Sequence, residues 1–509
     1  VKKFLLSTLL TLSLFTSFSF AQSKAVGKAT PKNSVKAKLA ETKQDDIKVP
    51  FVNKKLANGL EVIVLPDSSI PLVTVEIAVR NGSFTEPLEY NGLSHLYEHM
   101  FFKPNRAVRI YRCERYLEYR NVAGYQAEGC GDQLQFKKAV GDVNYLEYVD
   151  LMGKSDNATT REEVVNYFLS TTSPYLSTAL KHMSDSIRFP VFIPQLLEQE
   201  KKVVIGEIDR NEANPFFYLQ NELQGRMYYK YQTRKKPLGT RETVNSATVE
   251  KLKTIQSRYY VPNNAALIVT GDVKPEEVYK LAEQYLGSWE KRAVDPFKEF
   301  PLVEHPPIEK SEGVIVTQPV NNVLIQIGWH GPSIGKDDDA TYAADVFSYI
   351  LSQPDSKFHR AMIDSGVTVA VDLTYYTQRN VGPITLTLVT TPDKAKTALQ
   401  KVYQELDKFD KPDYYSDSEL ENAKTILESR DLFEREKLST YSHTLGFWWS
   451  STGIEYFRGY HKNLRAVSRK DINRYVTTYI KDKPHIGVAM ISEESQNIAN
   501  LTEADLIGE

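Results

Sequence analysis

Two histidines and a glutamate stand close together in His95-Leu96-Tyr97-Glu98-His99. Residues four apart are neighbours on a helix, so His95 and His99 reach one metal ion while Glu98, three after His95, points into the same space. The order inverts the more familiar H-E-x-x-H and matches H-x-x-E-H, a pattern of zinc hydrolases. Two histidines leave such a site incomplete, since catalytic zinc takes three protein ligands and keeps a fourth position for water. The third ligand must come from elsewhere in the chain. The run Glu200-Lys201-Lys202-Val203-Val204-Ile205-Gly206-Glu207 reads as helix and sets two carboxylates on one face.

These helices need a scaffold. Leu60 to Leu65 and Leu72 to Val79 have the β-branched content of two strands joined by a polar turn, and Asn91-Gly92 precedes the histidine helix. Leu196 to Asn211 reads as a long helix, and Ala265 to Thr270 as a buried strand ending at Gly271-Asp272. Pro296, Pro301, Pro306 and Pro307 then interrupt the pattern and mark a linker over 291–312. Beyond it the order of elements begins again. Val314 to Val316, Val323 to Trp329 and Ile384 to Val389 read as strands, and Ala340 to Leu351 and Pro392 to Phe409 as helices, without a histidine pair. The expectation is a duplicated α+β unit, the first copy over 49–290 and the second over 313–509, each a mostly antiparallel sheet with helices packed against it, the two enclosing a chamber.

With 509 residues, 41% of them hydrophobic, the chain can build two substantial cores, and a net charge of −2 with dispersed charges makes nucleic acid an unsuitable partner. Lys2-Lys3, the apolar run Phe4 to Phe18 and Ser19-Phe20-Ala21 read as a secretory signal over 1–21. The run is short and rich in Ser and Thr, so no membrane anchor is expected after cleavage. The segment 22–48 is Lys-, Ala-, Ser- and Thr-rich and reads as a flexible leader. In an oxidising compartment, Cys113 and Cys130 are expected to pair as a disulfide rather than remain free thiols. Trp448-Trp449 is expected in the core, and His330 and His359, which lack ligand spacing, in surface or hydrogen-bonded roles.

The H-x-x-E-H helix and the later E-x6-E helix together resemble the pitrilysin/insulinase family of metallopeptidases. Leu56-Ala57-Asn58-Gly59-Leu60 is similar to that family's first strand, Asn157-Ala158-Thr159-Thr160 to its N-A-x-T substrate strand, and Tyr260-Val261-Pro262-Asn263-Asn264 to its Y-x-P-N-N strand. The resemblance implies one zinc ion per chain bound by His95, His99 and Glu207, with Glu98 as general base and Glu200 orienting a ligand histidine. It also implies that an extended peptide adds along the strand edge at Asn157 and Ala158.

Two features depart from the family pattern. The stretch from His99 to Asn157 is longer than usual; this insertion, about 104–147, holds both cysteines with Arg112, Arg115, Tyr116, Tyr119 and Tyr125. In the second half, Met362 and Val369 stand where the family has an Arg and a Tyr that hold substrate, and Arg360 lies two positions early. The expectation is therefore an exported, periplasmic zinc endopeptidase acting on peptides or unfolded segments, the zinc-bearing subunit of a heterodimer whose related partner brings the Arg/Tyr pair. The alternative is a noncatalytic family member that serves as a structural or peptide-holding subunit.

Overall fold

Runs of β-branched residues become the strands of two sheets. The computed structural model describes residues 50–509; the apolar run Phe4 to Phe18 and the leader over 22–48 lie outside the described residues. The first sheet contains β1 (Val52–Lys55), β2 (Glu61–Pro66), β3 (Leu72–Val79), β4 (Ser155–Thr160), β5 (Val165–Thr172) and β6 (Ala265–Gly271), in the order β1-β2-β6-β3-β5-β4. The second contains β7 (Glu312–Thr317), β8 (Val323–His330), β9 (Ala370–Tyr375), β10 (Pro383–Thr390) and β11 (Ile486–Ile491), in the order β7-β11-β8-β10-β9. With β1 set aside the two orders superpose strand for strand. In each sheet one parallel pair, β2 with β6 and β7 with β11, sits beside otherwise antiparallel ladders. The duplication visible in the sequence is a duplication of topology.

The central strands are covered on both faces. Val62 and Val64 of β2 join the core of the first half, whereas Ile63 and Leu65 join a cluster built mainly from second-half residues. All of β6 is buried for the same reason, which explains its near-continuous apolar text. The covering is reciprocal. The helix Leu438–Ser451 of the second half packs on β3 and β6, and the helix Pro215–Met227 of the first half packs on β8 and β11. Where the first of these crosses β3, the buried Glu76 carboxylate accepts hydrogen bonds from Asn166 Nδ2 at 2.8 Å and Ser442 Oγ at 2.7 Å, and meets His443 Nδ1 at 2.6 Å. Trp449 of the same helix is buried and donates its Nε1–H to Glu61 Oε2 at 3.0 Å, while Trp448 stacks on Phe457.

Two local expectations need correction. Leu56 to Leu60 is the turn between β1 and β2 rather than a strand: Gly59 adopts φ +92° and returns its N–H to Leu56 O at 2.9 Å. Tyr260 to Asn264 likewise ends one helix and turns through Pro262–Asn264 before β6 begins at Ala265. Within the linker Asp295 caps a short helix, Pro296–Glu299, whose Phe297 ring lies against Phe84 and Tyr259 of the first half. Prolines broke the periodicity there without preventing packing.

Candidate metal and catalytic site

The helix Leu93–Phe101 buries Leu93, Leu96, Tyr97, Met100 and Phe101, which leaves His95, Glu98 and His99 on the opposite side. Its rear is fixed by rings: Tyr97 stacks on Tyr260 with centroids 4.1 Å apart, and Phe101 on Tyr167 at 3.9 Å. Its start is fixed by backbone. Gly92 caps the helix at φ +85°, and a Cβ there would stand 2.7 Å from both Gly239 Cα and Leu238 O, so only glycine fits. The buried Glu86 carboxylate accepts the Gly92 N–H at 2.8 Å and the Ser94 N–H at 2.6 Å, two donors that a helix start otherwise leaves unpaired. Burial pushes the Glu86 carboxyl up to about 7, against the pull of those hydrogen bonds.

The second element is the helix Pro194–Glu212, begun by a proline at its first turn and anchored through Leu197, Val204 and Ile208. It packs against the histidine helix and carries Glu200 and Glu207 to it. Glu207 Oε2 lies 3.5 Å from His95 Nε2 and 3.6 Å from His99 Nε2, and one ligand atom from each residue falls within 4.8 Å of the others. Glu200 is not part of that triangle. Its Oε2 meets His99 Nδ1 at 3.1 Å and its Oε1 meets Lys103 Nζ at 2.5 Å, so it holds the far side of the His99 ring and leaves Nε2 facing Glu207.

The electrostatics suit a cation. Burial, and then the neighbouring His99, push His95 down to about 4, which keeps its imidazole neutral and its lone pair available. For His99 burial acts in the same direction but is outweighed by the Glu200 and Glu207 hydrogen bonds, which raise it to about 9. The carboxylates thus draw an additional positive charge to the place where the three ligand atoms converge. Two imidazole nitrogens and one carboxylate oxygen form the donor set of a catalytic zinc site, and the geometry fits that ion. Glu98 stands beside the triangle with 8% of its surface exposed, and burial raises its carboxyl to about 7. Its Oε2 accepts a hydrogen bond of 2.5 Å from Thr160 Oγ1 at the end of β4.

Asn157 and Ala158 lie on that same strand, the outer edge of the first sheet. The Ala158 N–H is satisfied by Asn157 Oδ1 at 2.9 Å instead of a neighbouring strand, so it faces the free edge. Cys113 and Cys130 form a disulfide between the helices Arg106–Glu118 and Cys130–Leu134 within the insertion. The insertion has a small core of its own around Ala107, Ile110, Val140 and Val143. Its arginines pair locally, Arg109 and Arg112 with Glu128 and Arg115 with Glu118 and Glu147, and Tyr119 is exposed. In the second half Met362 is fully buried, Val369 is 64% exposed and Arg360 is exposed in a π-helical turn, Arg360–Asp364. Neither position offers a donor like those of the family's Arg and Tyr. Lys103 and the role of Thr160 were missed in the sequence because each acts through a contact that only the tertiary fold creates, and Glu86 because nothing in the text marks a carboxylate that folds forward onto the N–H groups of Gly92 and Ser94.

Comparison with known proteins agrees with this architecture. Residues 62–122 and 133–241 match a family model described as Insulinase (Peptidase family M16), and residues 246–427 match one described as Peptidase M16 inactive domain. The break at 123–132 falls inside the disulfide-bonded insertion. The chain is 21% identical to zinc protease PqqE of Helicobacter pylori over 441 residues, 84% of this chain and 89% of that protein. Among solved structures it resembles a protease from Helicobacter pylori, with a TM-score of 0.70 and 19% identity over 86% of this chain and 99% of that one. It also resembles the first half of the Escherichia coli periplasmic protease PqqL, with a TM-score of 0.68 and 16% identity over 90% and 96% of the two chains. Those structural likenesses show the fold, and the family matches, which run through both sheets, show more: the chain belongs to the insulinase family of peptidases, family M16.

Proposed function

We propose that this chain is an exported zinc-dependent endopeptidase, active on peptides or unfolded segments, and the zinc-bearing member of a pair of related chains. The observation that carries the reading is the convergence of His95, His99 and Glu207 from two helices with the buried Glu98 beside them. Zinc held by His95 Nε2, His99 Nε2 and a Glu207 oxygen would supply a Lewis acid that makes water nucleophilic near neutral pH. Glu98 takes the proton of the attacking water and returns it to the leaving amine. The free edge of β4 binds an extended peptide through its backbone, with the Ala158 N–H released from Asn157 Oδ1 as the peptide carbonyl arrives. Recognition of this kind tolerates many side chains.

Two observations support a second chain. The second half presents Met362 and Val369 where the family has its Arg and Tyr, and a missing donor at a developing oxyanion costs about 100-fold or more in rate. The likeness in fold to the first half of the periplasmic protease PqqL is in keeping with a chain that works beside a second, related one. Export to the periplasm rests on the Lys2 to Ala21 sequence. A noncatalytic, peptide-holding role draws on the same missing donors, but leaves Glu98 buried beside three convergent ligand atoms without a task.

The test is zinc content together with cleavage of a quenched mixed-sequence peptide by the mature chain and its Glu98→Gln variant, each with and without extract of the source cells. Stoichiometric zinc and cleavage lost in Glu98→Gln are expected, with extract raising the rate of the wild type alone. Zinc-free protein that cleaves nothing under any condition would refute the peptidase reading and favour the noncatalytic one.

A further inference from the structure

β4 does two things at once. Its hairpin to β5 closes with the Arg161 N–H on Val164 O at 2.9 Å, so Arg161 and Val164 are a hydrogen-bonded pair and the next pair, Thr160 with Val165, is not. By the same alternation Asn157 and Thr159 spend their backbone groups on β5, whereas Ala158 and Thr160 turn theirs to the free edge, in accord with the Ala158 N–H being met by a side chain. Thr160 therefore offers its backbone to an added strand. Its side chain stands out of the plane of the sheet, where Oγ1 donates to Glu98 Oε2. Among the described residues no other side-chain hydrogen bond to the Glu98 carboxylate is present. Oε2 is thus held and Oε1 is left to act.

We infer that Thr160 is a positioning residue that couples seating of a peptide on β4 to the aim of the Glu98 carboxylate. A strand that adds to the edge fixes the Thr160 backbone by main-chain hydrogen bonds. The Thr160 hydroxyl then fixes one carboxylate oxygen, so Glu98 is best ordered when substrate is in place. The inference rests on the peptidase reading for its effect on rate, and on geometry alone for the link between the two side chains.

The experiment compares Thr160→Val, which keeps the shape and removes the hydroxyl, with Thr160→Ser, which keeps the hydroxyl, in the full mature chain with whatever extract the wild type requires. Thr160→Val is expected to lower kcat on the order of 10- to 100-fold, with KM within about threefold and zinc content and melting temperature unchanged. Thr160→Ser is expected to stay within about threefold of wild type. Wild-type kcat in Thr160→Val, or an equal fall in both variants, would overturn the inference. Cleavage undiminished in Glu98→Gln, run in parallel, would overturn it together with the role of Glu98. Should the wild type cleave nothing, the peptidase reading fails by itself, and crystal structures decide the link: a Glu98 carboxylate displaced in Thr160→Val and in place in Thr160→Ser supports it, and one unmoved in Thr160→Val overturns it.

Discussion

Replacing Glu200 by Gln tests whether the site is built around a metal. Glu200 sits between His99 Nδ1 at 3.1 Å and Lys103 Nζ at 2.5 Å, and it touches neither His95 nor Glu207. The amide oxygen of Gln can still accept from one of those donors, so the ring keeps a partner but loses a charged one. A hydrogen bond to a charged group contributes about 1.5–3 kcal/mol, and part of that survives the substitution. Outer partners of metal-bound histidines are worth about 10- to 100-fold in affinity, or roughly 1.4–2.8 kcal/mol. Glu200→Gln should therefore bind zinc about 10- to 100-fold more weakly with unchanged stoichiometry, whereas Glu207→Gln, which removes a ligand atom, should fall further. Competition against a chromophoric chelator measures both without any assay of cleavage. Zinc affinity within twofold of wild type in Glu200→Gln, at equal thermal stability, would refute the reasoning. A larger loss in Glu200→Gln than in Glu207→Gln would refute the assignment of the two glutamates.

Two further outcomes concern the scaffold. Burial pushes the Asp345 carboxyl up to about 7, against a hydrogen bond from the Tyr460 hydroxyl, so the folded chain holds this proton more tightly than the unfolded chain does. The stability drawn from it is complete below about pH 4, falls by about 1.4 kcal/mol per pH unit up to about 7, and is constant above that. Urea unfolding at pH 5, 6, 7 and 8 should show the wild type losing stability relative to Asp345→Asn from pH 5 to 7 and little further change at pH 8, and curves that stay parallel throughout would refute it. Opening the Cys113–Cys130 bridge, which closes a separation of 17 residues, should cost about 3 kcal/mol within the insertion. Hydrogen exchange with and without reductant should show faster exchange across 106–134 and little change in the helix Leu93–Phe101.

The parts of the site that the sequence revealed are those governed by one helix at a time. The i, i+4 spacing of His95 and His99, and the Glu200 to Glu207 repeat, follow from helix geometry alone, and both helices form where the apolar periodicity places them. The strands were legible for a similar reason, since burial on both faces writes a continuous apolar run such as Ala265 to Thr270. Thr160, Lys103 and Glu86 had no such signal. Each lies on a different element from its partner, and a Thr, Lys or Glu looks the same whether it holds a catalytic group or faces water. The exchange of helices between halves was equally silent, because an amphipathic helix does not say which sheet it will cover. The turn at Asn58-Gly59 was misread because strand-like residues flank it on both sides.

That exchange bears on where the missing donors come from. A chain of two similar halves joined by a linker invites the thought that the second half closes on the first to complete the site. The junction argues otherwise. Glu163, buried in the first half, accepts the backbone N–H groups of Arg379 at 2.9 and 3.0 Å and of Asn380 at 3.1 Å. Lys235, also buried and in the first half, contacts Gln378 Oε1 and lies 3.3 and 3.4 Å from the Asn380 and Val381 carbonyl oxygens. Glu76 is held between Asn166 on one side and the Ser442 and His443 pair on the other. Opening the halves would break these contacts at three places and also bring into water the apolar cluster that Ile63, Leu65, Ala78, Ala266 and Ile268 share with the second half. The stability of a typical fold does not leave room for that. A hinge inside this chain is therefore a poor source of the Arg and Tyr, and Met362 is already committed to the second-half core, which is the gap that the proposed second chain would fill.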